Sequence, residues 1–303
     1  MMRKNVGVGV LFLGLSIAFG TTAQADTWQV SKTYDDVVAF MHQIEAKYPK
    51  ARKFELGISD SGKMIEGVQV GDGPVHNLVV GTHHGNEYGN TEVAKGFIAS
   101  LAAQPIAGME VTVIPVLNIS GYNAREREET GADGTSYDPN RNYPGPCGTE
   151  GPFTLKSTAL LAKFIDEHQI VASATLHTFY PAVVYPWGIS TQDTSTPYDS
   201  TYRSLVQAAV VESGYATGNS TEVIYPADGC YEDYAYWKHG IWSLLFELGY
   251  SHSPSDSEVA NMIKVNVPGL RRFLAQAPTA RAPKHDFTGH CDSALRSRDR
   301  HDE

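Results

Sequence analysis

The segment His84-Gly85-Asn86-Glu87 sets an imidazole and a carboxylate three residues apart, a pair able to hold one metal ion from a short loop. A catalytic zinc site takes three protein ligands drawn from His, Asp and Glu and keeps a fourth position open. Two imidazoles and one carboxylate leave the ion net positive, so that it polarises a carbonyl and acidifies water. Gly85 is small enough to let another stretch of backbone approach. The spacing carries little alone, because His42-Gln43-Ile44-Glu45 repeats it on an amphipathic segment, where it reads as a solvated face. His83 stands at the wrong spacing to Glu87 and reads as a pocket-wall or hydrogen-bonding residue. His177 ends an apolar run, and taken alone such a histidine is more often a satisfied core group than a ligand. Glu247 follows Ile241-Trp242-Ser243-Leu244-Leu245-Phe246, and an unpaired carboxylate buried there would be costly.

These residues need elements to bring them together. Val37, Phe40, Met41, Ile44 and Tyr48 recur at helical spacing and predict an amphipathic helix between Tyr34 and Tyr48. Strands are predicted over Lys53–Gly57 and Glu66–Val70, joined by the turn Ser59-Asp60-Ser61-Gly62. A short buried strand, Asn77–Gly81, leads through the polar run 82–87 to a helix from about Thr91 to Ala103. Further strands are expected at Val111–Val116, Ile170–His177, Val183–Pro186 and Ile241–Leu248. A long Gly/Asn/Asp/Pro-rich connection runs to Phe153. Helices are expected from a Ser157 cap through Ile165, around Tyr202–Glu212, and over Ser257–Leu274. Strands alternating with helices predict an α/β fold, a mixed, mostly parallel twisted sheet with helices on both faces, as a single domain. His84, Glu87, His177 and Glu247 all fall at or just past strand carboxyl ends, where functional groups of such sheets gather.

Several segments together resemble the M14 family of zinc carboxypeptidases, in the family's order and over about Tyr34 to Leu274. Gly81-Thr82-His83-His84-Gly85-Asn86-Glu87 is similar to the first ligand motif. Asn118-Ile119-Ser120-Gly121-Tyr122 resembles the Asn-Pro-Asp-Gly-Tyr motif, with Pro and Asp replaced. Asp138-Pro139-Asn140-Arg141-Asn142-Tyr143 resembles the Asp-x-Asn-Arg-Asn-aromatic run. Ala174-Thr175-Leu176-His177 with Tyr185-Pro186-Trp187-Gly188 matches the strand of the third ligand. Tyr225-Pro226-Ala227-Asp228-Gly229, followed by Asp233-Tyr234, resembles the mobile-tyrosine loop, and Phe246-Glu247-Leu248 the catalytic-glutamate strand.

The resemblance implies one zinc ion per chain on His84, Glu87 and His177, with Asp138 bonded to a ligand imidazole or serving only as a turn aspartate. Glu247 would be the general base, taking a proton from the attacking water and passing it to the leaving amine. An arginine would stabilise the oxyanion, and Arg127 fits the family's shorter spacing from Gly121 better than Arg125. Asn140 and Arg141 would hold a substrate's terminal carboxylate through the two-point geometry of a guanidinium. Tyr225 would close over the terminal residue. Glu232, seven residues beyond Tyr225, aligns with the pocket base and would favour a Lys, Arg or diamino-acid end, with Asp228 and Asp233 nearby. Asn86 stands where many members carry a carboxylate-contacting arginine.

The implied function is zinc-dependent hydrolysis of the C-terminal bond of peptides with a free carboxylate. The His-Gly-Asn-Glu wording also resembles acyl-amino-acid deacylases, and a peptidoglycan-peptide amidase of the same zinc fold is a further alternative. A non-catalytic carboxypeptidase-like domain would have lost ligands or the glutamate, and none is missing. A serine hydrolase fits poorly, because the sequence has no Gly-x-Ser-x-Gly elbow.

Residues 1–25 carry the marks of a signal peptide: Arg3 and Lys4, an apolar run from Val6 to Phe19, and Ala23-Gln24-Ala25 before the cut. That run is shorter than the roughly 20 residues a membrane span requires. Export to a periplasm or the exterior is expected, with a catalytic domain over 26–280, a polar and loosely packed tail over 281–303, and a monomeric state. Twenty-four Lys and Arg against 34 Asp and Glu give a net charge of −10, which argues against nucleic acid and an anionic membrane face as partners. Cys147, Cys230 and Cys291 permit one disulfide, its pairing open, and leave one thiol.

Overall fold

The computed structural model describes residues 28–148 and 152–291; the segment expected to be a signal peptide and the end of the tail lie outside the described residues. Thr33 opens helix α1 (Tyr34–Lys47) with a capping box to Asp36, and Tyr34, Val37, Met41 and Ile44 form its buried stripe. An antiparallel pair follows, β1 (Ala51–Ile58) and β2 (Met64–Gly71). Then come β3 (Val75–Gly81), α2 (Tyr88–Ala103) and β4 (Met109–Ile114). The long Gly/Asn/Asp/Pro-rich connection contains helix α3 (Ile119–Ala124), a small hairpin of β5 (Glu129–Thr130) and β6 (Ser136–Tyr137), and a 3-10 turn at Pro139–Arg141. Beyond it lie α4 (Lys156–Glu167), β7 (Ile170–His177), β8 (Ala182–Tyr185), α5 (Asp199–Ala209), β9 (Ala216–Asn219), α6 (Ser220–Val223), α7 (Tyr231–His239), β10 (Trp242–Glu247) and α8 (Asp256–Gln276).

The main sheet has eight strands in the order β1-β2-β4-β3-β7-β10-β8-β9. Its centre, β4-β3-β7-β10, is parallel, while β1, β2 and the β10–β8 pairing are antiparallel. All residues of β7 are buried, and alternate side chains point to opposite faces, so helices cover both sides of the sheet centre. The expected α/β class and mostly parallel sheet are therefore observed. In register, Glu247 of β10 stands opposite His177 of β7, and Gly81 of β3 opposite Leu176. Three neighbouring parallel strands thus end together, and their carboxyl ends deliver the residues singled out by chemistry.

Two local expectations change. Ser157 does not cap α4: it lies inside the helix, Leu155 occupies the cap, and the buried Ser157 hydroxyl donates instead to Glu129 Oε2 at 2.5 Å. The tail is packed where it is described. Arg281 donates to the carbonyls of Ile165, His168 and Ile170, Phe287 meets Trp187 edge to face, and Cys291 is bridged to Cys147. The bridge settles the pairing left open by the sequence and leaves Cys230 as the thiol. Among the described residues no helix is long and apolar enough to cross a membrane.

Candidate active site

His84 and Glu87 occupy the loop between β3 and α2. The loop is entered through Thr82, whose φ of 57° is unusual for a β-branched residue. Asn90 holds Thr82 there, its Oδ1 accepting from the Thr82 N–H at 2.9 Å and the hydroxyl at 3.1 Å, while the hydroxyl also lies 2.9 Å from Pro115 O. Gly85 meets the requirement set by its size: a methyl group there would stand 1.9 Å from the Gly121 carbonyl carbon. Asn118 ties these pieces together. Its Oδ1 caps α3 through the Gly121 N–H, and its Nδ2 donates to the carbonyls of His83 and Arg127.

His84, Glu87 and His177 converge as buried side chains, with one ligand atom from each within 4.8 Å of the others. His84 Nδ1 lies 2.7 Å from Glu87 Oε1, and His177 Nδ1 lies 3.2 Å from Glu87 Oε2 and 3.3 Å from His84 Nδ1. On its far side His84 Nε2 is 3.0 Å from Asp138 Oδ1, which favours a proton on Nε2 and leaves the Nδ1 lone pair facing the cluster. Lone pairs and a carboxylate converging in a buried space suit a cation between them. Two nitrogens each about 2.0–2.1 Å from one tetrahedral ion would stand roughly 3.3–3.4 Å apart, and the separation found fits that arrangement. Burial lowers the pKa of His84, but the carboxylates of Glu87 and Asp138 outweigh it and raise the value to about 9. Burial works against the Glu87 charge too, yet the two imidazoles hold its carboxyl well below the usual range. In both cases the pocket favours positive charge among these side chains, whether carried by a proton or by a metal ion.

Glu247 faces this cluster from β10. Its Oε2 is buried without a protein hydrogen-bond partner, and burial together with the nearby Glu87 charge pushes its carboxyl well up. A divalent cation on the ligand cluster would oppose both effects.

The two candidate arginines separate cleanly. Arg127 donates through Nε and Nη2 to Asp138 Oδ2 and through Nη1 to His84 Nδ1 at 3.1 Å, beside the cluster. Arg125 turns the other way, packs over the rings of Tyr88 and Tyr122, and donates to the carbonyls of Ser31 and Lys32. His83 is buried, stacks on His177 and pairs with the Tyr143 hydroxyl. His42 lies exposed against Glu66, as expected of a solvated helix face.

An open cavity adjoins His84, His177 and Glu247. Asn140 and Arg141 line it from the 3-10 turn. Asn140 Oδ1 accepts from the Tyr231 N–H, and Arg141 Nη2 donates to the Tyr225 hydroxyl at 3.4 Å. Tyr225 itself is half exposed. Glu232 and Asp233 reach the cavity from α7, an element absent from the sequence expectation. The Thr175 hydroxyl donates to Glu232, and the Gly188 N–H donates to Asp233, whose carboxyl burial pushes up to about 8 against that hydrogen bond. Asp228 Oδ1 accepts from Gly229 in its own loop. Sequence reasoning missed Cys230, Ser220, Ile224 and Leu245, which complete the cavity wall. Their spacing forms no motif, and only the convergence of β10, α6 and the loop before α7 reveals their place.

Comparison with known proteins identifies the family. A family model described as zinc carboxypeptidase matches residues 37–268. Carboxypeptidase B of Astacus astacus is 25% identical over 256 residues, covering 71% of this chain and 84% of that protein. Carboxypeptidase D of Homo sapiens is 22% identical over 286 residues, 80% of this chain but 21% of that protein, so the chain spans about a fifth of that relative's length. Bovine thrombin-activatable fibrinolysis inhibitor superposes with a TM-score of 0.74 at 18% identity, covering 81% of this chain and 96% of the other. Carboxypeptidase A of Helicoverpa armigera gives 0.67 at 17% identity, over 80% and 72%. These superpositions bear on the fold, and the matched segment contains every candidate ligand together with Glu247, so the chain belongs to the zinc carboxypeptidase family.

Proposed function

We propose that this chain is an exported zinc metallocarboxypeptidase that removes the terminal residue from peptides with a free carboxylate and favours basic or diamino-acid ends. The observation that carries the reading is the placement of the unpartnered Glu247 Oε2 opposite the His84–Glu87–His177 cluster, beside a cavity lined by Arg141. In this reading His84, Glu87 and His177 hold zinc, which when bound supplies a Lewis acid for the scissile carbonyl and an acidified water. Glu247 accepts the proton of the attacking water and returns it to the leaving amine. Arg127, held by Asp138, presents positive charge to the developing oxyanion. Asn140 and Arg141 bind the terminal carboxylate, and Tyr225 covers the bound residue.

Glu232 contributes a buried carboxylate to the cavity lining, with Asp233 close by. A cationic substrate side chain would complement that charge, and this supports the preference for Lys, Arg or diamino ends. The Cys147–Cys291 bridge supports export, since disulfides persist in oxidising compartments.

Turnover of Glu247→Gln tests the reading. We expect kcat to fall by about a thousandfold while close to one zinc per chain remains bound; undiminished turnover would remove Glu247 as the base. Paired assays of free-acid and C-terminally amidated peptides test the clamp, and equal cleavage of both would point to an endopeptidase instead.

A further inference from the structure

The turn Gly229-Cys230-Tyr231 meets the carboxylate clamp at several consecutive atoms. Gly229 O accepts from the Tyr143 N–H at 3.0 Å, and the Tyr231 N–H donates to Asn140 Oδ1 at 3.0 Å. Arg141 Nη1 donates to Cys230 Sγ at 3.5 Å and to Asn140 O at 2.9 Å. Gly229 has a φ of 76°, and a methyl group there would lie 2.5 Å from Arg141 O and 2.6 Å from its carbonyl carbon. The same loop begins at Tyr225, whose hydroxyl receives Arg141 Nη2. Backbone, amide and guanidinium of Asn140 and Arg141 are thus seated against one short turn.

We propose that Gly229 and Cys230 are positioning residues for the Asn140–Arg141 clamp, fixing the guanidinium fork for the substrate's terminal carboxylate and coupling it to the Tyr225 loop. The inference rests on the clamp reading given above. A thiol suits the position because neutral sulfur is a weak acceptor: it orients Nη1 without itself setting a negative charge beside the guanidinium. Burial favours the neutral thiol, pushing its pKa well up against the pull of Arg141. A carboxylate in the same place would pair with Arg141 and compete with the substrate.

The test compares kcat and KM on a Lys-ended free-acid peptide for wild type, Cys230→Ser, Cys230→Asp, Gly229→Ala and Arg141→Ala, with zinc content and melting temperature as checks of folding. We expect Cys230→Asp and Gly229→Ala to raise KM about tenfold or more, and Cys230→Ser, which keeps a neutral acceptor, to stay within about threefold of wild type. In an Arg141→Ala background Cys230→Asp should change KM by less than about twofold, because its partner is gone. A purely structural role would add its effect to that background undiminished. Should Cys230→Asp fail to bind zinc, Cys230→Val removes the acceptor without adding charge and should raise KM about threefold. An unchanged KM in both Cys230→Asp and Gly229→Ala, or an equal rise with and without Arg141, overturns the inference. If Arg141→Ala itself leaves KM unchanged, the clamp reading falls and this inference with it; if only the turn variants are silent, the inference alone falls.

Discussion

At the scale of single residues, Glu232 and Asp233 bring two adjacent carboxyl groups to the cavity lining. Glu232 is buried and accepts from Thr175, while Asp233 is occupied by Gly188, so Glu232 is the group better placed to meet a substrate side chain. Its charge is not needed to hold α7, which is fixed by its own backbone bonds and by the Ser243 hydroxyl on the Glu232 carbonyl. Replacing the carboxylate by an amide should therefore act on specificity. We expect Glu232→Gln to lower kcat/KM for Lys- and Arg-ended peptides about 10- to 100-fold, the loss of one charge-assisted contact. Phe-ended peptides should change little. A parallel assay of the three peptides checks this, and an equal loss on all of them would assign Glu232 to structure instead.

At the scale of elements, β5 and α4 are joined through a buried polar contact. Glu129 accepts from the Ser157 hydroxyl with its other oxygen unpaired, and burial raises its pKa from 4.5 to about 8, the Asp60 charge adding to the rise. A carboxyl raised in the folded state binds its proton more tightly there than in the unfolded chain. Its contribution is fully present below about pH 4.5 and is lost as pH climbs through about 8. Glu129→Gln keeps an acceptor for Ser157 and removes the titration. The variant should gain stability relative to wild type between pH 5 and pH 9, by on the order of a few kcal/mol. Denaturant unfolding at the two pH values measures the difference, and a constant offset would show that Glu129 is not the titrating group.

At the scale of the whole molecule, the tail acts as a strap. The Cys147–Cys291 bridge spans 144 residues of sequence and ties the loop after the clamp to a segment lying on Trp187 and Trp237. Cross-links closing long loops restrict the unfolded chain most. Cys291→Ser should cost roughly 2–4 kcal/mol, seen as a melting temperature lower by several degrees. A reductant should bring wild type to the same value and leave the variant unmoved; a variant as stable as wild type would show that the tail is held by packing alone.

The sequence by itself determined the alternation of strands and helices, the burial of the parallel centre and the ordered motifs, because hydrophobic period and turn chemistry are local properties. It placed His84, Glu87, His177 and Glu247 at strand ends, and β7 came out with the same limits, Ile170–His177. It also set apart His42 and Glu45 from an identically spaced pair by their helical context. Other matters required long-range contacts. Arg127 and Arg125 lie two residues apart in similar company, and the αL turn at Arg125, with a φ of 60°, sends the two guanidinium groups to different places. Ser157 looked like a cap until Glu129 supplied a buried partner from another element. The disulfide partners, the packing of residues 281–291, helix α7 and the seat of Cys230 beside Arg141 followed the same rule. Each depends on which distant backbone arrives at the same point, and local residue preferences carry no record of that arrival.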